Sequence, residues 1–247
     1  MLYRDLGGIR NRENKIIKEN VLLRSGNLSK ISGNDLKQLK KLPVHKIIDL
    51  RTEQEKSEKP DKKIAHAEYL HIPIFNDKTL GITYEKDIQL KDLLSELPDM
   101  ANLYRTMVTS AYSVGQLRKI INEIINANAY PVLFHCTAGK DRTGIVTMLL
   151  LSMLDVNEDE IFKDYLKENE RNRLKRYFLY SVVMLMTGDK LLAKKVKNFY
   201  TADEEYLKAA IEAINEKYGN VGNFIRNELG VSDRQKEAFK RRVLEEY

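Results

Sequence analysis

The segment His135-Cys136-Thr137-Ala138-Gly139-Lys140-Asp141-Arg142-Thr143-Gly144 sets a cysteine and an arginine with five residues between them, flanked by a short apolar run and a longer one. A short loop at a helix N-terminus turns successive backbone N–H groups inward and makes a cradle for a tetrahedral dianion. Gly139 allows the unusual backbone angles that such a cradle needs. Cys136 would lie at its floor, where N–H dipoles and a helix end lower thiol pKa values from ~8.5 toward roughly 3.5–7.5. Arg142 would close the ring, because a planar guanidinium grips two phosphate oxygens at once. The Thr143 hydroxyl is placed to donate to the thiolate. The chemistry implied is nucleophilic attack on a phosphate ester.

The loop is not a Walker nucleotide loop, which needs glycine where Phe134 stands and Ser or Thr where Asp141 stands. Rhodanese-type sulfur transferases also hold a cysteine in an anion loop, but the His-Cys start and the loop length favour a phosphatase. A lone buried cysteine is usually inert packing; Gly139, Arg142 and Thr143 around it point the other way.

A departing oxygen needs a general acid. Asp77 follows His71-Ile72-Pro73-Ile74-Phe75-Asn76 in a stretch with weak periodicity, and Asp141 lies in the loop itself. Asp141 either donates the proton or orients Arg142. Asp49 and Arg51, at a strand end, brace the loop or form a structural ion pair.

These residues need a frame. Lys46–Arg51 and Pro131–Phe134 read as strands, and Leu70, Ile72 and Ile74 alternate as a third. Ser32 caps a short helix reaching about Lys41. Residues 54–63, charged and carrying Pro60, read as a solvent loop. Val114, Leu117, Ile121, Ile124 and Ile125 share one helical face, and Arg142–Leu154 forms an apolar helix. The order helix, strand, turn, helix gives an α/β domain with a largely parallel sheet. Later helices are expected near Asp159–Lys167, Ala202–Tyr218, Val221–Leu229 and Ser232–Glu245. The expectation is a single domain over residues 1–247.

Lys and Arg number 42 against 36 Asp and Glu, a net charge of +6, which suits anionic substrates or a solvated surface alike. One cysteine rules out an internal disulfide, and four scattered histidines argue against a zinc site. No metal and no organic cofactor is expected, nor nucleic acid as partner. No apolar segment is long enough to span a bilayer. The protein is expected in the cytoplasm, or outside the cell if an export signal precedes this sequence. Arg171, Arg173, Lys175 and Arg176 form a basic cluster, either a solvated helix face or a point of transient contact with an anionic membrane.

HCTAGKDRTG resembles the HC-x5-R-[ST] signature of the protein tyrosine phosphatase superfamily, in the form used by bacterial phosphotyrosine and phosphoinositide phosphatases. YRDLGG (Tyr3–Gly8), LLRSGNLS (Leu22–Ser29), IIDLRT (Ile47–Thr52), DYL (Asp164–Leu166) and the stretch from Glu205 to Ile225 also resemble segments of that branch. Its RDLGG segment usually has Asn two residues before the Arg, where this chain has Leu2. The resemblance implies a tyrosine-phosphatase-like sheet flanked by helices, with about residues 158–200 as a helical lid that Leu185, Met186, Leu191 and Leu192 would help close. It implies residues 137–142 as phosphate cradle, with Lys140 accepting substrates that carry extra phosphates. It places a mobile acid at Asp77, or at Asn76 beside it. The substrate would be a phosphotyrosyl protein or a phosphoinositide, cleaved through a cysteinyl phosphate. A phosphate-binding pseudoenzyme is the alternative of another class, and intact Cys136 and Arg142 speak against it.

Overall fold

Alternating side chains along three strands divide the interior into two layers. Leu22, Ile48, Val132 and Phe134 face one core, and Leu23, Ile47 and Leu133 face the other, the two-residue period of a sheet buried on both sides. In the computed structural model, residues 3–76, 98–171 and 173–247 are described. The strands are β1 (Tyr3–Asp5), β2 (Lys15–Ile17), β3 (Leu22–Ser25), β4 (Lys46–Asp49), β5 (Glu68–His71), β6 (Val132–His135) and β7 (Leu244–Glu246). The main sheet has the order β1-β3-β6-β4-β5. β1 is antiparallel to β3, and the other pairings are parallel. Here the α/β class with its mostly parallel sheet is as the sequence indicates.

The longer helices among the described residues are α1 (Gly33–Leu39), α2 (Glu53–Glu58), α3 (Met100–Thr109), α4 (Ala111–Ile125), α5 (Asp141–Met153), α6 (Glu158–Leu166), α7 (Arg173–Thr187), α8 (Lys190–Phe199), α9 (Glu204–Tyr218) and α10 (Asp233–Val243). α5 is the central one. Nearly every residue from Thr143 to Met153 is buried, as expected for a helix apolar on all sides. Ser32 caps α1, its hydroxyl accepting from the Asp35 N–H.

Two readings of the sequence need correction. Residues 54–63 are not simply a solvent loop, because Thr52 and Glu55 form a reciprocal capping box that starts α2. The end of the chain is not helical through Glu245. Helix α10 stops at Val243, and β7 pairs antiparallel with β2, so a strand at the chain's start captures one at its end. Residues 221–229 also differ in detail, with one α-turn at Val221–Asn223 and a π-turn at Phe224–Glu228.

α7 and α8 form an antiparallel hairpin with a small core of its own, in which Val183, Leu192, Ala193 and Val196 are buried. Its root is pinned by Asn169, which donates to the Ala202 carbonyl at 2.7 Å and accepts from the Ala202 N–H at 2.8 Å. Of the residues expected to close a lid, Leu192 is buried in the hairpin, whereas Leu185, Met186 and Leu191 are exposed.

Candidate active site

The loop leaves the C-terminal end of β6, in the middle of the sheet, and runs into the N-terminus of α5. The first N–H groups of that helix have no carbonyl a turn earlier to bond, so they are available to an anion. Cys136 is buried at the start of the loop, 2% exposed. Gly139 has φ +73°, and a Cβ there would come within 2.8 Å of the Ser25 and Gly26 backbone. No other residue fits that close approach.

The loop is braced from behind by ions. Arg24 donates to the Gly139 carbonyl at 2.9 Å and to Asp164 Oδ2 at 2.7 Å. Arg4 bonds the other Asp164 oxygen at 2.6 Å and Glu168 Oε1 at 2.8 Å. Burial pushes the Asp164 carboxyl up, but the charges of Arg24 and Arg4 overcome it and leave its pKa below the ordinary range. The RDLGG, LLRSG and DYL segments thus meet in one buried network that fixes the loop's position.

A second brace holds the loop's root. Arg51 donates to both oxygens of Asp49, at 2.9 and 2.7 Å, and lies 3.0 Å from Asp61. His135, fully buried, has Nε2 3.0 Å from Asp61 and Nδ1 3.9 Å from Asp49. Asp49, Asp61 and His135 could geometrically surround a metal ion. The Arg51 guanidinium already sits between the two carboxylates, and supplies the positive charge they require. Asp49 and Arg51 thus form an ion pair, which reaches the loop's root through Asp61 and His135.

Arg142 is held by Glu55, for which the sequence suggested no role in the site. Its Nη1 donates to Glu55 Oε2 at 2.5 Å and its Nη2 to Oε1 at 2.8 Å, and the Thr137 hydroxyl donates to the same Oε1. Burial raises the Glu55 carboxyl, but Arg142, Thr137 and the Thr52 N–H outweigh it and hold its pKa at about 2. For Arg142 burial opposes the cation; Glu55 and a charge on Cys136 more than offset it, so its pKa is raised. The signal was present in the sequence: Thr-x-x-Glu directly after a strand is a capping box, and α2 swings Glu55 to the loop.

Asp141 opens α5. Its Oδ1 accepts from the Tyr104 hydroxyl at 2.8 Å and lies 3.3 Å from the Lys140 amine. Tyr104 in turn meets the Tyr165 hydroxyl at 2.7 Å. Burial first, then the nearby Asp141 charge, keeps both phenols well above their ordinary pKa. The hydrogen bond thus links Asp141 to Tyr104 rather than to Arg142. Lys140 is not a solvated loop lysine: it is buried, and its amine donates to the Phe199 and Thr201 carbonyls at 2.6 and 3.0 Å, at the root of the hairpin. Thr143 Oγ1 is buried without a hydrogen-bond partner among the described residues. Ala138 is half-buried in the loop. Asp77, the other expected acid, lies outside the described residues.

A parallel sheet delivering Cys136 into a braced anion loop, with Arg142 clamped beside it, defines a phosphatase that works through cysteine. The chain belongs to the tyrosine phosphatase family, whose model matches residues 3–245. It is similar to a Cupriavidus necator protein provisionally named a tyrosine-protein phosphatase, 28% identical over 92% of this chain and 81% of that one. It is also similar to the triple specificity protein phosphatase PtpB of Mycobacterium tuberculosis, 27% identical over 85% of this chain and 86% of that one. A solved structure of TpbA from Pseudomonas aeruginosa aligns with 80% of this chain and 91% of its own, at 12% identity and TM-score 0.34.

Proposed function

We infer that this enzyme hydrolyses phosphotyrosyl proteins in two steps, with Cys136 as the nucleophile. The observation that carries the reading is Arg142, fixed by Glu55 beside the loop that buries Cys136. Glu55 and Thr137 engage only part of the guanidinium's five donors, so N–H groups remain for phosphate oxygens. In the first step the Cys136 thiolate attacks phosphorus and the bond to the tyrosyl oxygen breaks. Backbone N–H groups at the start of α5 and Arg142 stabilise the charge that builds on the equatorial oxygens. In the second step water attacks the cysteinyl phosphate, and the thiolate leaves with the unpartnered Thr143 hydroxyl available to it.

For the proton of the leaving oxygen we propose Asp141. The Tyr104 hydroxyl fixes its Oδ1, leaving Oδ2 to carry the proton, and the carboxyl stays partly open to solvent. Asp77 remains the competing donor and is tested beside it below.

Phosphoinositides are a second substrate class, favoured by one observation: the hairpin rooted at Lys140 carries a strong positive charge. The test is phosphate release from phosphotyrosyl peptides, phosphoseryl peptides and soluble short-chain phosphoinositides at matched concentrations under reducing conditions. Fastest turnover of the phosphotyrosyl peptides is expected. Faster release from the phosphoinositides would move the assignment to lipid, and no release from any of them would remove the reading.

A further inference from the structure

The hairpin α7–α8 holds an unusual share of the chain's exposed apolar surface and of its charge. Among the described residues, nine large apolar side chains are exposed, and six of them lie here. Leu174, Tyr177, Phe178 and Leu185 recur at helical spacing along the outer face of α7, and Leu185, Met186 and Leu191 surround the turn at the tip. Leu185 and Leu191 are 89% and 83% exposed. Apart from Tyr177, whose ring lies 4.7 Å from the Lys197 amine, these residues take no part in the hairpin's own apolar core. Its inner stripe, Leu179, Tyr180, Val183 and Met184, already packs on Leu192, Ala193 and Val196.

Residues 173–199 contain seven Lys and Arg against the single acid Asp189, a net +6 that equals the formal net charge of the whole chain. The remainder is balanced. Lys190 and Lys194 are exposed on α8, flanking Leu191. Apolar side chains ringed by cations on a helical surface suit the boundary of an anionic bilayer, where the first enter between headgroups and the second pair with them. A second copy of this chain is a poor occupant, because two such faces would bring like charges together. No helix among the described residues is long and apolar enough to cross a membrane, so the contact would lie on the surface.

We propose that the outer face and tip of this hairpin dock the enzyme on anionic lipid bilayers. The reading goes beyond the catalytic assignment and does not depend on it. Docking would tether the active-site loop to the membrane through the hairpin, since Lys140 of that loop bonds the carbonyls of Phe199 and Thr201 at the hairpin's root.

The test is co-sedimentation of the full chain with vesicles of phosphatidylcholine alone and of phosphatidylcholine with about 30% phosphatidylserine. Two double variants accompany it, Leu185→Ser with Leu191→Ser, and Lys190→Glu with Lys194→Glu. All four positions are exposed and none bonds to the loop from Cys136 to Arg142, so hydrolysis of soluble p-nitrophenyl phosphate should be unchanged and reports intact folding. The wild type should bind the mixed vesicles and not the neutral ones, and each variant should bind more than about tenfold less tightly. Equal binding to both vesicles, or none, would overturn the proposal. So would leucine variants that bind like the wild type, which would leave only a diffuse electrostatic patch. A concentration-dependent dimer that the leucine variants abolish, with no vesicle binding, would assign the surface to a second copy instead.

Discussion

Replacing Glu55 by Gln keeps the shape of the side chain and removes the charge that clamps Arg142. The fall of the Glu55 pKa from the ordinary 4.5 to about 2 corresponds to roughly 3 kcal/mol at about 1.4 kcal/mol per pH decade. The side chain is 26% exposed, and solvent screening trims that to about 2 kcal/mol. The sign follows from the direction. A carboxylate whose folded pKa is depressed stabilises the fold above its unfolded pKa, and that stabilisation is lost as pH falls toward the folded value. The gap between wild type and Glu55→Gln should therefore be complete at pH 7 and at pH 5.5. It should shrink by about 1 kcal/mol by pH 3.5. Urea unfolding of both proteins at the three pH values measures it directly. A gap below about 0.5 kcal/mol at pH 7, or one that does not change with pH, would refute the clamp.

Gly139→Ala should cost at least about a hundredfold in turnover, since its Cβ would meet the Ser25 and Gly26 backbone at 2.8 Å and displace the loop; steady-state kinetics on p-nitrophenyl phosphate tests this. Arg24→Met should lower stability by about 3–5 kcal/mol by stripping Asp164 of a buried partner, visible as an earlier urea midpoint. Asp141→Asn should slow phosphotyrosine hydrolysis by about 10²–10⁴-fold and activated aryl phosphates far less, because only the poor leaving group needs the proton. Asp77→Asn, assayed alongside on both substrates, should lack that dependence, and the reverse pattern would transfer the role to Asp77.

The sheet, the helices on either side of it and the Cys136–Arg142 loop are legible because each rests on a local pattern. Short apolar runs, helical spacing and a cysteine-to-arginine interval all lie within a few residues of one another. What was not legible is held by contacts across long stretches of chain. Arg4 and Arg24 reach Asp164 from 160 and 140 residues away, and nothing in the immediate surroundings of any of them announces the meeting. Tyr104 is on α3, a helix the sequence did not announce, and only the fold reveals its hydroxyl against Asp141. The Glu55 case is different. Its local signal, the Thr52 capping box, was overshadowed by the charges and proline around it. The strand β7 was hidden because Arg241 and Arg242 before it and Glu245 and Glu246 within it read as a polar helix end, while its pairing partner is β2 at the other end of the chain.

The central claim is that phosphate passes through the sulfur of Cys136, and trapping that intermediate tests it most directly. The enzyme would be mixed with a radiolabelled phosphotyrosyl peptide, quenched in acid within one turnover, digested and mapped. Label should appear on the peptide containing Cys136, be absent from Cys136→Ser, and accompany complete loss of turnover in that variant. Label on another residue, or sustained phosphate release by Cys136→Ser, would contradict the mechanism.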